Sequence, residues 1–314
     1  MRLIPEYDPV GRLYLSFVRD FYHSRFDYGG TICDIAEAVS GKVGIEVFVA
    51  GEEQPFFMEL LRSRGIDDGG LILNPNSPLR GIVAEYFPVF CREEDGRGVG
   101  IHFRNDNLDL ADYLHRFAGD IIDSLGIEPL RMEENFATAR ISVNGDLCLL
   151  SEDEPESPAA AARLQFFRSS FPEQVFRQVP SLTGDHTRDL DMFLWPVRPG
   201  IWLVSRYPEG TPQEVSVRPS LEAIRIHGHE AVMIPGLPPI RYGDVNTMPN
   251  YANGILVNGT ALFPSYDRTE DEQVGRMLES MGYEAIPVDC RKIIESNSGL
   301  HCISKTVPSS LLHR

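Results

Sequence analysis

The chain is short of positive charge. It carries 29 Lys and Arg against 46 Asp and Glu, a formal net charge of −17 over 314 residues. A nucleic acid or an anionic membrane surface would be repelled, so neither is expected as a partner. No apolar run approaches the ~18 residues a membrane span needs. The opening MRLIPEYDP has no secretory apolar core. The five cysteines (Cys33, Cys91, Cys148, Cys290 and Cys302) are odd in number and show no CxxC spacing. A disulfide framework or zinc knuckle is therefore not expected, a reducing cytoplasmic setting fits, and no metal or cofactor is implied.

What the chain does have is a repeat. LLRSRGIDD (60–68), IIDSLGIEP (121–129) and MLESMGYEA (277–285) share an apolar pair, a Ser and then a Gly. Looser copies are FFRSSFPEQVFRQVP (166–180) and IRIHGHEAVMIP (224–235). In each copy an amphipathic helix ends at Gly65, Gly126, Phe171, Gly228 or Gly282, and a short apolar strand follows. VNGDLCLL and VNGTALFP read as hairpins turning at Asn-Gly, and FLWPVRPGIWLVS as a third hairpin. The segment 12–50 holds similar elements without the repeat signature. Five units of two antiparallel strands, a helix and a further strand predict an α/β fold, a five-bladed α/β propeller filling one domain over 1–314.

Polar residues follow each repeat in apolar surroundings. They are Glu85 in IVAEYFPVF; Glu133, Glu134 and Asn135 in MEENF; His186, Asp189 and Asp191 in GDHTRDLDMF; Asn253 in NYANGILV; and His301 with Cys302 in LHCIS. Equivalent ends of five blades converge on an axis. Carboxylates, an amide and a thiol around one pocket suit a flat, cationic, hydrogen-bonding group such as a guanidinium.

These stretches resemble the guanidino-group-modifying (pentein) superfamily, in its agmatine deiminase and Porphyromonas-type peptidylarginine deiminase branch. The likeness runs through PEYDP, EYFPVF, ENF, DLDMF, PGIWLVSRYP, YANGILVNGTALFPSYD and NSGLHCIS. It implies a cysteine-dependent deiminase acting on agmatine, arginine or peptidyl-arginine through a covalent thiouronium. Cys302 matches the nucleophile, Asp191 the Asp of a His-x-Asp motif, and Glu85 a guanidinium-binding acid. Asn253 matches the Asn lining the substrate, and Glu134 stands in the remaining binding stretch. The motif is degenerate: Asp189 occupies the place of its His. Asp189 itself, or His186 three residues upstream, is then expected to move protons. His301, next to Cys302, is expected to point away from the chemistry, as neighbouring strand residues do.

Plainer readings stand beside these. Cysteines on apolar segments usually fill cores. Asp189 and Asp191 could cap a turn, Glu133 and Glu134 could be solvated, and His227 and His229 are read as incidental. Asn144 and Asn258 read as turn residues. The lost imidazole also favours an alternative, a catalytically inactive propeller serving as a binding or regulatory module; an amidinotransferase is weaker still. A small cationic guanidino substrate is the expected ligand, and a homo-oligomer is left open.

Overall fold

The computed structural model describes residues 1–18, 28–66, 70–75, 83–104, 111–242 and 245–312. Among them six α-helices run Tyr28–Ala38 (α1), Gln54–Ser63 (α2), Ala111–Leu125 (α3), Pro158–Ser170 (α4), Pro212–Ile226 (α5) and Thr269–Ser280 (α6). Their ends follow local chemistry. Ser157 accepts a bond from the Ala160 amide at 3.2 Å and Thr211 one from Glu214 at 3.3 Å, each just before a Pro in the first turn. Gly65, Gly126, Gly228 and Gly282 all take left-handed φ values, which lets the chain leave the helix. None of the described helices is long and apolar enough to cross a membrane.

The strands form five comparable units. In each, a first strand pairs antiparallel with a second, and the second pairs parallel with a third after an intervening helix. The first unit is Val89–Arg92, Gly98–Arg104, α3 and Glu128–Asn135, with Arg2–Leu3 added at its edge. The second is Ile141–Asn144, Leu147–Ser151, α4 and Val175–Val179. The third is Leu194–Arg198, Ile201–Arg206, α5 and Glu230–Pro235. The fourth is Ile255–Val257, Thr260–Ser265, α6 and Glu284–Asp289. The fifth closes the ring with both ends of the chain: Ser304–Pro308 pairs with Val10–Ser16, which is followed by α1 and Gly44–Phe48.

The expected architecture of five units holds, with one correction to which repeat copies form them. The copy at 60–68 is not a unit of its own. Helix α2 and strand Leu71–Asn74 extend the fifth sheet, pairing parallel with Gly44–Phe48. The fifth unit's own helix and strand lie in 12–50, the segment without the signature.

Each helix packs against the third strand of the preceding unit: α4 on Glu128–Asn135, α5 on Val175–Val179, α6 on Glu230–Pro235 and α1 on Glu284–Asp289. The last junction is aromatic. Phe117 of α3 meets Phe48 edge-on, ring centres 5.2 Å apart, with Phe87 and Tyr14 in the same cluster.

The hairpin asparagines do more than turn the chain. Asn258 (φ +47°) and Gly259 (φ +90°) supply the two left-handed residues of a type I′ turn. The Asn258 side chain also accepts from the Val10 amide and donates to the Val10 and Lys42 carbonyls, each at 2.9 Å, joining the fourth unit to the fifth. Asn144 lies one residue earlier in its loop, where the turn is Gly145-Asp146. Its buried amide reaches the third unit, accepting from the Gly200 amide at 2.8 Å and donating to the Ile201 carbonyl at 3.0 Å.

Candidate active site

All five units contribute to the lining of one small cavity of about 50 Å³. The lining includes Val89, Ile141, Trp195, Gly254 and Thr306, each in or beside the first strand of its unit. The cavity therefore marks the axis. The residues just before those first strands are Glu85, Thr138, Asp189 with Asp191, Asn253, and His301 with Cys302; of these Thr138, Asp191 and His301 line the cavity.

Cys302 is the hub. Its Sγ accepts from Asn253 Nδ2 at 3.3 Å and lies 3.8 Å from Asp191 Oδ2. Asn253 is fully buried, and its Oδ1 accepts from the backbone amides of His301 at 2.9 Å and Cys302 at 3.3 Å. In the free protein this amide holds the thiol segment in place. Gly299 makes the approach feasible: a Cβ there would fall 2.4 Å from Asn253 Oδ1. Asn297 adopts φ +57°, and its side chain accepts from the Met248 amide at 2.7 Å. Asn tolerates the left-handed region better than most residues.

Three carboxyl groups crowd the thiol. Asp189 is buried, and burial, then Glu85 and Asp191, pushes its pKa well above the carboxylate range. Burial raises Glu85 too, and its carboxyl is hydrogen-bonded to Asp189. The two share a proton, since like charges this close disfavour double ionisation. The turn-capping reading does not hold for Asp189, which makes no side-chain cap bond to the 3₁₀ turn Leu190–Met192 that it precedes. Asp189 Oδ1 and Asp191 Oδ1 are both buried without a hydrogen-bond partner. Buried polar atoms are nearly always paired in folded proteins, so two orphaned acceptors beside a thiol mark a place for donors. Burial, and then Asp191, drives the Cys302 thiol well above its ordinary pKa. The free site therefore holds a neutral thiol.

His301 overturns its expected orientation. Residues 300–303 form turns rather than strand, so side-chain alternation does not apply. Its Nδ1 lies 2.7 Å from Asp191 Oδ2, the oxygen nearest the sulfur, and its Nε2 lies 2.8 Å from Glu6 Oε2. Burial alone would lower the His301 pKa, but Glu6 and Asp191 outweigh it and raise the value to about 9. The ring is thus an imidazolium at neutral pH. Glu6 also pairs with Lys305, and both cations hold it ionised against the cost of its burial.

Two expected residues stand apart. His186 is exposed on the turn organised by Asp185, and no hydrogen bond or ion pair joins it to the cluster among the described residues. Glu134 sits at the end of the first unit's third strand, half-buried and without such a bond. The axial place of the second unit belongs to Thr138, whose hydroxyl donates to the Phe87 carbonyl at 2.5 Å. Sequence reading missed Glu6 and Lys305. The PEYDP motif contained Glu6, but nothing in a linear pattern ties it to a residue 295 positions away.

The remaining plain readings fit. Cys33, Cys91, Cys148 and Cys290 are buried core residues. His229 accepts from the Trp202 indole at 3.1 Å and meets Asp146, while His227 binds the Ala223 carbonyl at 2.8 Å.

Residues 182–308 match the family model of Porphyromonas-type peptidyl-arginine deiminase. No curated protein matches the chain in sequence. Among solved structures, agmatine deiminase of C. jejuni superposes with a TM-score of 0.81 at 15% identity, covering 98% of this chain and 96% of that one. Agmatine deiminase of Enterococcus faecalis gives 0.83 at 13% identity, over 98% and 95%. DDAH from Pseudomonas aeruginosa gives 0.50 at 13% identity, over 95% and 100%. The resemblance to the pentein superfamily holds, and the fold is the one these proteins share.

Proposed function

We infer, from a chain with the pentein fold and a thiol set among orphaned carboxylate oxygens on its axis, that this protein is a cysteine-dependent hydrolase of a guanidino compound. The observation that carries the reading is the pair of buried, unpartnered oxygens on Asp189 and Asp191 beside Cys302. A guanidinium supplies planar N–H donors in the number and direction such acceptors require.

The chemistry follows from the electrostatics. A guanidinium brings a full positive charge into a cluster where a proton now separates Glu85 from Asp189. Its arrival favours ionised carboxylates and lowers the thiol's proton affinity, reversing the free-state shifts. The Cys302 sulfur attacks the guanidinium carbon and forms a C–S bond. The thiol proton moves to the departing nitrogen, the C–N bond breaks, and ammonia leaves behind a cationic thiouronium. Water then attacks that carbon and the C–S bond breaks. The ureido product forms, the sulfur regains a proton, and one further proton is released. Asp191 contacts both the sulfur and His301, so it is the natural proton exchanger at the reacting atoms.

Agmatine, arginine, methylated arginines and arginyl peptides are the compounds to test, with ammonia and ureido product as readouts. Turnover of one of them, abolished in Cys302→Ala, is expected, together with labelling of Cys302 by a haloacetamidine. Absence of both turnover and labelling would leave the inactive binding module as the better reading.

A further inference from the structure

The PEYDP motif and the histidine beside the nucleophile meet in the fold. Glu6 comes from the N-terminal segment, His301 from the turn at 300–303, and Asp191 from the 3₁₀ turn Leu190–Met192. His301 Nδ1 lies 2.7 Å from Asp191 Oδ2, and its Nε2 lies 2.8 Å from Glu6 Oε2. Glu6 Oε1 takes the buried Lys305 of the strand Ser304–Pro308. Opposite charges therefore alternate along one line: Asp191, His301, Glu6, Lys305.

The line ends at the sulfur. Asp191 Oδ2, the oxygen that His301 holds, is the one 3.8 Å from Cys302 Sγ. Asp191 Oδ1 is buried and has no partner among the described residues. A carboxylate turns easily about its last side-chain torsion. A charged donor at one oxygen fixes that rotation and decides which oxygen is left over.

We propose, resting on the hydrolase reading above, that His301 and Glu6 are positioning residues for Asp191: they keep its carboxylate charged and turned so that one oxygen stays at the sulfur and the other is free for an N–H of the substrate guanidinium. Neither touches a reacting atom. The hydrogen-bond partners of Cys302 Sγ among the described residues are Asn253 and Asp191. No proton travels along the line, and the ring keeps one on each nitrogen throughout.

The surroundings explain why such support is needed. Burying an ionised carboxylate is costly unless a cation pairs with it. Asp189 and Glu85, which share a proton, stand beside it, and like charges add to the cost. The degenerate motif places no imidazole at 189. An imidazolium stands instead at 301, one carboxylate away from the sulfur. Burial alone would strip that ring of its proton, and Glu6, with Asp191, holds the proton up to about pH 9. Lys305 and His301 in turn keep Glu6 ionised. Each member of the line supports the next, so a loss at Glu6 is felt at Asp191 through His301.

The test compares alkylation of Cys302 by cationic chloroacetamidine and by neutral chloroacetamide, at neutral pH in the full chain. The proteins are wild type, Glu6→Gln, His301→Gln and the double variant. The ratio of the two rates cancels any change in the thiol itself and reads how well the carboxylates receive an amidinium. Wild type is expected to favour the amidine. Each single variant should lower the ratio about 10-fold or more, as loss of a charge-assisted hydrogen bond does. KM for the guanidino substrate should rise by a similar factor, with kcat changed less. Counting charges alone predicts opposite shifts: a fall for Glu6→Gln, which removes a negative charge, and a rise for His301→Gln, which removes a positive one. Because Glu6 acts through His301, the double variant should fall no further than His301→Gln. Thermal melts identify a variant that fails to fold, and His301→Asn then replaces His301→Gln. A ratio and KM at wild-type values in either folded single variant, or a ratio that rises without His301, would overturn the positioning role and leave the hydrolase reading intact. A wild-type protein with no turnover of any guanidino compound and no preference for the amidine overturns both.

Discussion

At the scale of single residues, the site depends on one close approach. Gly299 has an ordinary φ, yet a Cβ there would meet Asn253 Oδ1, Cγ and Cβ all within 3 Å. Asn253 is held by Asn250 and by the amides of His301 and Cys302, so it has little freedom to retreat. Gly299→Ala should destabilise the fold by about 1–3 kcal/mol and cut the rate of Cys302 alkylation, measured with a small haloacetamidine. A variant as stable and as readily labelled as wild type would refute the role given to Asn253. Asp189 gives a second test. Its folded pKa is raised, so between about pH 4 and that raised value the native state holds a proton the unfolded chain has released. Stability therefore falls as pH rises through this window. Asp189→Asn removes the titration, so its stability gain over wild type should be larger at pH 8 than at pH 5, by about 1–2 kcal/mol in urea unfolding. Equal gains at both pH values would contradict the shared proton with Glu85. The sequence allowed the convergence of Cys302, Asp191, Asp189 and Glu85 to be expected, because each follows a repeat copy in apolar surroundings. It hid His301 because the alternation rule assumes a strand, and these residues form a turn. Glu6 stayed hidden because its partner is remote in the chain.

At the scale of elements, the helix-ending glycines and the hairpin turns were legible because they answer to local sterics. The number of units was legible too, but the assignment of each repeat copy to a unit was not. The repeat signature at 60–68 marks a helix and strand that extend a sheet, whereas the closing unit has diverged from the signature altogether. The Asn-Gly turns were also underread: the same residue that sets a turn can join neighbouring units. Asn258 makes three hydrogen bonds to the fifth unit from a left-handed backbone. Asn258→Gly keeps the backbone preference and loses the side-chain bonds, while Asn258→Ala loses both. The expected destabilisation is about 1–3 kcal/mol for Gly and about 1 kcal/mol more for Ala, measured by denaturant unfolding. If Ala and Gly proved equal and neutral, the junction would owe nothing to this side chain.

At the scale of the whole molecule, closure is non-local. The strand Ser304–Pro308 completes the sheet begun by Val10–Ser16, and Ser304 directly follows the residues that present the thiol. Three of its five residues, Ser304, Lys305 and Val307, are at most 6% exposed, so the strand is built into the core. The same strand supplies Lys305 to Glu6, which tethers the N-terminal segment across the axis. Ring closure and assembly of the site are therefore one event. A chain ending at Ile303 retains Cys302, Asp191, Asn253 and His301 in sequence but lacks the strand that fixes their positions. It should lose the cooperative unfolding transition of the intact protein, and Cys302 should be alkylated at the rate of an exposed thiol. The intact protein should protect that thiol until a cationic amidine reagent binds. A truncated chain that unfolds cooperatively and still protects Cys302 would mean that four units suffice to build the site, and the fifth would then be dispensable to it.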